Sequence, residues 1–95
     1  MNYEFSGSVF EWRGPSPFYF LELPGPVSAE ILAMAKQLTY GWGVIPVVAK
    51  IGSTEFTTSL IPKNGGYLLP LKDAVRKPES IAVGSKPVVS LSLNI

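Results

Sequence analysis

The sequence predicts a mostly β protein with one main helix, in which six strands close a small barrel. Short segments with period-two hydrophobic alternation are separated by turns rich in Gly and Pro, a pattern typical of strands. Only one segment, residues 27–38, has the period of a convincing amphipathic helix. An internal echo is the third observation, because 20–24 and 66–70 both end in Leu-Pro just before a predicted helix.

The first part of the chain predicts two antiparallel strands followed by a helix and a third strand. Residues 3–9 alternate apolar and polar side chains, and the turn residues 13–17 separate them from an aromatic-rich strand over 18–23. A buried third strand is predicted over 44–51. Pro46 lacks the N–H that a strand ladder needs, which indicates an edge position or a bulge.

The predicted helix lies between these strands. Its apolar face is formed by Val27, Ile31, Met34 and Leu38. Pro26 or Ser28 can open the helix, because a missing or side-chain-bonded N–H costs nothing in the first turn. Gly41 and Gly43 are expected to end it.

The second part repeats the same order of elements. Gly52-Ser53 predicts the tight turn of a hairpin, and the run 62–66 is the strongest turn signal in the chain. The predicted elements are a strand over 54–61, a strand over 67–71, a short helix over 72–77 and a last strand over 88–95.

The chain therefore divides into two strand-strand-helix-strand halves, residues 1–50 and 51–95, offset by 46 residues at the Leu-Pro echo. Two such halves can close one barrel around a shared core and leave few free strand edges. The alternative is that Leu-Pro is a common dipeptide and that the echo arose by chance.

Composition predicts a single domain and excludes several kinds of site. The 95 residues contain neither Cys nor His, which removes disulfides, thiolate metal sites and the commonest general base. Net charge is +1 and charged residues make up only 16% of the chain, so a large footprint for nucleic acid is not visible. Because neither a signal peptide nor a membrane-length apolar run occurs, the protein is predicted to be cytoplasmic and not bound to a membrane.

The sequence carries no recognisable catalytic motif. Ser59 and Lys63 lie on either side of Pro62 and do not have the Ser-x-x-Lys spacing of lysine-assisted hydrolases. One Asp and six Glu are not brought together by any motif. Gly41-Trp42-Gly43 follows a helix instead of a strand and lacks the third glycine of a dinucleotide fingerprint. No catalytic residue, metal ligand or cofactor is therefore predicted.

A few positions are candidates for binding. Lys72 and Arg76 would share one face of the short helix, and they predict either an anion site or a salt bridge to Asp73 or Glu79. Lys63, with Asn64 beside it, would add to this basic patch if the two halves fold back on each other.

Two aromatic side chains complete this set of candidates. Trp42 and Tyr67 are flanked by glycine, which predicts partly exposed rings able to stack on a base or a small ring. The alternative is that each ring covers an end of the barrel.

Several motifs carry a family resemblance from Phe5 to Leu93. They are Gly41-Trp42-Gly43, Ile51-Gly52, Thr58-Ser59-Leu60-x-Pro62, Tyr67-x-Leu69-Pro70-Leu71-Lys72, Val75-Arg76 and Gly84. Together they resemble the uncharacterised bacterial family called domain of unknown function nineteen-oh-five. The resemblance implies a double-split β-barrel, and some members are fused to a domain associated with bacteriocin protection. It implies no established activity.

A second likeness involves the end of the chain. The segment 69–76, followed by Ile81, Gly84 and Val88, is similar to the strand, Leu-Pro, short helix and Gly-Asp turn of AbrB-type regulators and antitoxins. Those proteins form a comparable barrel from two chains and bind DNA. Ser85 stands here where that family has an acidic residue.

Three functional hypotheses follow. The leading one is a non-enzymatic module that binds an anionic or aromatic small molecule, or a partner protein. A homodimer is one of the partner alternatives. An AbrB-like nucleic-acid binder is the second hypothesis, which the low net charge disfavours. A hydrolase-type enzyme is the third.

Overall fold

The computed structural model describes residues 2–15, 17–38 and 44–94. Its elements are β1 (Asn2–Ser6), β2 (Val9–Trp12), β3 (Phe18–Glu22), α1 (Gly25–Leu38), β4 (Ile45–Ile51), β5 (Thr54–Lys63), β6 (Gly66–Pro70), α2 (Asp73–Arg76) and β7 (Val88–Leu93). The strands form one antiparallel sheet in the order β1-β7-β4-β5-β6-β3-β2, curled into a half-barrel. The mostly β fold with one main helix is thus confirmed.

Seven strands replace the six predicted, because the first predicted strand is divided. Its pairing changes at Gly7 and Ser8: β1 pairs with β7, whereas β2 pairs with β3 on the opposite edge of the sheet. A Cβ atom at Gly7 would collide with the carbonyl oxygen of Glu22 and the side chain of Leu21. Glycine therefore allows the close approach of chains at which this segment passes from one edge to the other.

The long strand β5 has the same double pairing. Its first seven residues pair with β4, and its last three pair with β6. Segment 2–12 and β5 thus each pair with two different strands.

The inward faces of the strands form one continuous core. Its fully buried side chains come from both ends of the sheet order and from α1, and they include Leu21, Ile31, Leu60, Leu69, Leu91, Val47 and Val89. Ile31 lies on the predicted apolar face of α1. Residues from both halves of the chain contribute to this core.

The turns behave as their residues predict. Gly52 has a φ of 60° and connects β4 to β5 at the register Ile51 to Thr54. Asn64 and Gly65 both have positive φ, 51° and 79°, and join β5 to β6 in a two-residue hairpin. Positive φ at both central residues is what the favoured hairpin turn requires, and Asn-Gly supplies it at low cost.

The predicted edge position of Pro46 is wrong, because β4 lies between β5 and β7. Pro46 is the second residue of β4, and its carbonyl accepts a hydrogen bond from the Asn94 N–H just beyond the end of β7. A proline at the end of a ladder loses only one donor, which is why a central strand tolerates it here.

Ser28 has a different role from the predicted helix cap. α1 begins at Gly25, and the Ser28 hydroxyl, which is buried, accepts a hydrogen bond from the Tyr67 N–H at 3.2 Å. This bond ties the first turn of the helix to β6. The predicted end of α1 at Gly41 and Gly43 lies outside the described residues.

Within the described part of the chain, neither helix has the length and apolar character needed to cross a bilayer.

Candidate ligand-binding surface

The outward face of β2 and β3 carries four aromatic side chains, which we call the aromatic platform: Phe10, Trp12, Phe18 and Phe20. The register places Phe10 opposite Phe20 and Trp12 opposite Phe18. The corresponding ring centroids are 5.8 and 6.0 Å apart, and Phe18 and Phe20 are separated by 6.4 Å. Alternation explains the arrangement, since Val9 and Leu21 point from the same strands into the core.

Two of these rings are open to solvent. Trp12 is 48% exposed and Phe18 is 53% exposed, although both are large and apolar. Cross-strand aromatic pairs contribute about 0.5–1.5 kcal/mol beyond area burial, so the platform adds some stability to the β2–β3 hairpin. The stability of the hairpin does not require the rings to be exposed to solvent. Contiguous exposed apolar surface is typical of a binding face.

A groove of about 330 Å³ adjoins the platform. Phe18 and Phe20 line it together with Ile61 and Pro70, and Lys72 lies at its rim beside α2. The groove therefore combines aromatic and aliphatic walls with charged side chains that include Lys72 and Asp73, a composition typical of small-molecule sites.

Arg76 lines the same groove, but its guanidinium is held by the protein itself. Its Nε donates to the Leu71 carbonyl at 3.2 Å, and its charged carbon lies 3.6 Å from the centre of the Tyr19 ring. A second nitrogen forms an ion pair with Asp73, and only 19% of the side chain is exposed. Arg76 thus fastens α2 to β3, so the salt-bridge alternative accounts for this residue.

The Tyr19 hydroxyl belongs to a second local network. A hydrogen bond with the Glu11 carboxylate, followed by the charge of Glu11, raises the pKa of Tyr19 above its ordinary value. Glu11 also accepts a bond from the Arg13 Nε at 3.3 Å. Because these groups satisfy one another, the cation of Arg13 is partly offset, and alternation along β2 places Glu11 on the face opposite to the platform rings.

Lys72 has no such partner. Its ammonium makes no hydrogen bond or ion pair within the described residues, and the side chain is exposed at the start of α2. The predicted pair of cations is therefore unequal: both Lys72 and Arg76 reach one groove, but only Lys72 is free to meet a ligand there.

Lys63 lies outside this groove, beside the Phe10 ring of the platform. Its ammonium is 5.6 Å from the centroid of Phe10, within reach of a cation–π contact. Lys63 and Tyr67 line a separate cavity of about 370 Å³ between α1 and the β5–β6 turn. The four predicted site residues that the structure describes, Lys63, Tyr67, Lys72 and Arg76, thus do not form one cluster.

The predicted exposure of Tyr67 is wrong. Its side chain is 3% exposed and belongs to the core, and burial raises the pKa of its hydroxyl. The residues that follow it in β6, Leu68 and Leu69, are buried as well, so the flanking glycine does not leave the ring exposed. Trp42 lies outside the described residues, so its role stays a prediction.

Sequence reasoning missed the aromatic platform itself. The signal was present, because Phe10-x-Trp12 and Phe18-x-Phe20 have a spacing of two on either side of a turn. In a hairpin that spacing puts all four rings on one face. The role of Glu79 was also missed: its carboxylate accepts a bond from the Thr54 hydroxyl at 2.7 Å instead of pairing with a cation.

The described residues contain no group of three or more His, Cys, Asp or Glu side chains that could hold a metal ion. A search of curated proteins finds no match to the chain. The sequence profile of the family described as "Domain of unknown function (DUF1905)" matches residues 5–91, and the chain belongs to that family.

Proposed function

We propose that this protein is a non-enzymatic binding module, and that it binds a ring-bearing anion in the groove beside the aromatic platform. The observation that carries the proposal is the position of Lys72, an unpartnered cation at the rim of a groove with exposed aromatic walls. We also propose, as the sequence predicts, that the protein is bacterial and cytoplasmic.

The physics of the groove favours a ligand with both parts. An aromatic ring against Phe18 and Phe20 would remove apolar surface from water, at about 25 cal/mol for each Å² buried. An exposed ion pair with Lys72 would add only about 0–1 kcal/mol. Ring contact would therefore supply most of the affinity, and the charge would select anions over neutral rings.

The pairing of the strands supports a finer description of the fold. Segment 2–12 pairs with β7 and then β3, and β5 pairs with β4 and then β6. Segment 2–12, β3 and β4 of the first half correspond to β5, β6 and β7 of the second. The pattern of strand pairing stays the same when each element is exchanged for its counterpart. We propose that the half-barrel is a double-split barrel, made of two repeated halves with boundaries near residues 50 and 51.

A fluorescent aromatic anion tests the binding site directly. Anilinonaphthalene sulfonate should bind the folded protein, and neutral phenylnaphthylamine should bind more weakly. Lys72→Ala should remove most of this preference for the anion, whereas Phe18→Ala should weaken both dyes. Lys50→Ala is the matched control, because Lys50 is an exposed lysine of β4, away from the groove.

Two results would contradict the proposal. One is equal affinity of the wild type for the two dyes, and the other is an equal effect of Lys50→Ala and Lys72→Ala. Circular dichroism of each variant separates loss of the site from loss of the fold, since dyes of this kind also bind partly unfolded chains.

A further inference from the structure

The platform and its surrounding charges point to a more specific ligand than a ring-bearing anion. We propose that this surface binds single-stranded nucleic acid, with bases stacked on Trp12 and Phe18 and phosphates near Lys63 and Lys72. The inference rests on the proposed function, because it uses the same surface and gives the class of ligand.

Ring geometry is the first argument. Trp12 and Phe18 are the two most exposed rings of the platform, and their centroids lie 6.0 Å apart with ring planes inclined by 39°. Aromatic side chains on an exposed sheet face are a common platform for unpaired bases, because every base has a π-face that can stack. Phe20 is the neighbour of Phe18 at 6.4 Å and of Phe10 at 5.8 Å, so the exposed pair is continuous with the other two rings.

The second argument is the local charge around the platform, which differs from the net charge of the chain. The platform and the adjoining groove carry three cations, Lys63, Lys72 and Arg76, against one acid, Asp73. The rest of the chain has five cations, Arg13 and four lysines, which are outnumbered by six glutamates. The net charge of +1 therefore conceals a positive aromatic face and a slightly negative remainder.

The pairing of these charges indicates which cations would reach phosphates. Glu11 pairs with Arg13, and Asp73 pairs with Arg76. Lys63 contacts only the Phe10 ring, and Lys72 has no side-chain partner within the described residues. A strand lying across the platform would thus have one free ammonium toward Phe10 and another beside Phe18.

Single strands fit this surface better than duplexes. Bases in a duplex are stacked on one another and cannot lie on Trp12 or Phe18 without being unpaired. Reading the major groove requires a helix or a two-stranded ribbon with basic side chains. The four-residue helix α2 instead carries Asp73 in its first turn, which disfavours an AbrB-like reading of duplex DNA by this surface.

The experiment is fluorescence anisotropy with a labelled thymidine oligonucleotide of about 12 nucleotides, within the usual range of site sizes. At about 50 mM salt the wild type should bind it, and the matching duplex should bind more weakly. Trp12→Ala and Phe18→Ala should each weaken binding about five-fold or more. Val88→Ala is the control, because Val88 is 57% exposed on the outward face of β7.

Salt dependence tests the number of phosphate contacts. Two neutralised phosphates predict a slope near −1.4 for log affinity against log salt, from about −0.7 per contact for single strands. Lys72→Ala should make the slope shallower by about half, and Lys50→Ala should leave it unchanged.

The inference is overturned if the oligonucleotide does not bind, if the duplex binds equally well, or if both ring variants bind like the wild type. Sedimentation would also overturn it by showing a dimer that dissociates in Phe18→Ala, because a second copy would then cover the platform. Anion-selective dye binding that depends on Lys72, without oligonucleotide binding, would leave the proposed function standing and reject this inference alone.

Discussion

The two ends of the sheet have the same interior and opposite exteriors. Around β1, β7 and β4 most outward positions carry small polar or charged groups, such as Glu4, Ser90 and Lys50, which face one another in register, and the apolar exceptions include Val48 and Val88. Around β2 and β3 the same outward positions carry the aromatic platform. We call these regions the polar face and the aromatic face.

The inward positions of both regions contribute to one core, with Leu91 behind the polar face and Leu21 behind the aromatic face. Folding requires that core, and the polar face demonstrates that it can form behind serine, asparagine and lysine. The exposed rings of the aromatic face are therefore not explained by folding alone, and this difference is the reason for placing the binding surface there.

The largest expected effect is loss of stability when a core side chain is truncated, and it should be similar behind the two faces. Leu21→Ala and Leu91→Ala should each destabilise the protein by about 2–5 kcal/mol, because both side chains are fully buried and each truncation leaves a cavity. Urea denaturation followed by circular dichroism measures both. A cost below about 1 kcal/mol for either variant would mean that the region behind that face is not packed into the common core.

The next largest effect is the loss of stability on substituting Gly7, where segment 2–12 passes from the polar face to the aromatic face. Gly7→Ala places a Cβ atom against the Glu22 carbonyl and the Leu21 side chain, and overpacking of this kind costs about 1–3 kcal/mol. Gly25→Ala is the matched control, because nothing lies within 4 Å of the added Cβ. If the two variants are equally stable in urea, segment 2–12 does not cross between the sheet edges as described.

Local pattern was sufficient to predict most of the fold. Alternation identified the strands, the 3.6-residue period identified α1, and the Asn64-Gly65 and Gly52-Ser53 turns identified the two hairpins. These features depend on near neighbours in sequence. The division of the first strand does not, because the change of partner at Gly7 is set by the distant Glu22 and by β7.

The candidate site was only partly predictable for the same reason. Lys72 and Arg76 are close in sequence, and they do reach one groove. Sequence could not separate their roles, because the stacking of Arg76 on Tyr19 joins residues that are far apart along the chain. The flanking glycine of Tyr67 favoured an exposed ring, whereas the structure fits the alternative of a structural role, because Tyr67 packs in the core and its N–H bonds to the distant Ser28.

The smallest expected effect is the one that separates the two faces by function. Phe18→Thr removes an exposed ring of the platform, and Ser90→Thr enlarges an exposed side chain on the polar face. Thr is a good strand former, so Phe18→Thr should cost no more than about 1.5 kcal/mol, the value of the lost aromatic contacts. Ser90→Thr should change stability by less than about 0.5 kcal/mol.

The two substitutions should differ much more in dye binding than in stability. Phe18→Thr should weaken dye binding strongly while the protein stays folded, and Ser90→Thr should leave binding unchanged. A large loss of stability in Phe18→Thr would instead show that the exposed rings support the hairpin, and the contrast between the faces would then be one of packing. Retained stability with lost binding would mean that the platform is maintained for what it contacts, since the core behind it folds without the ring.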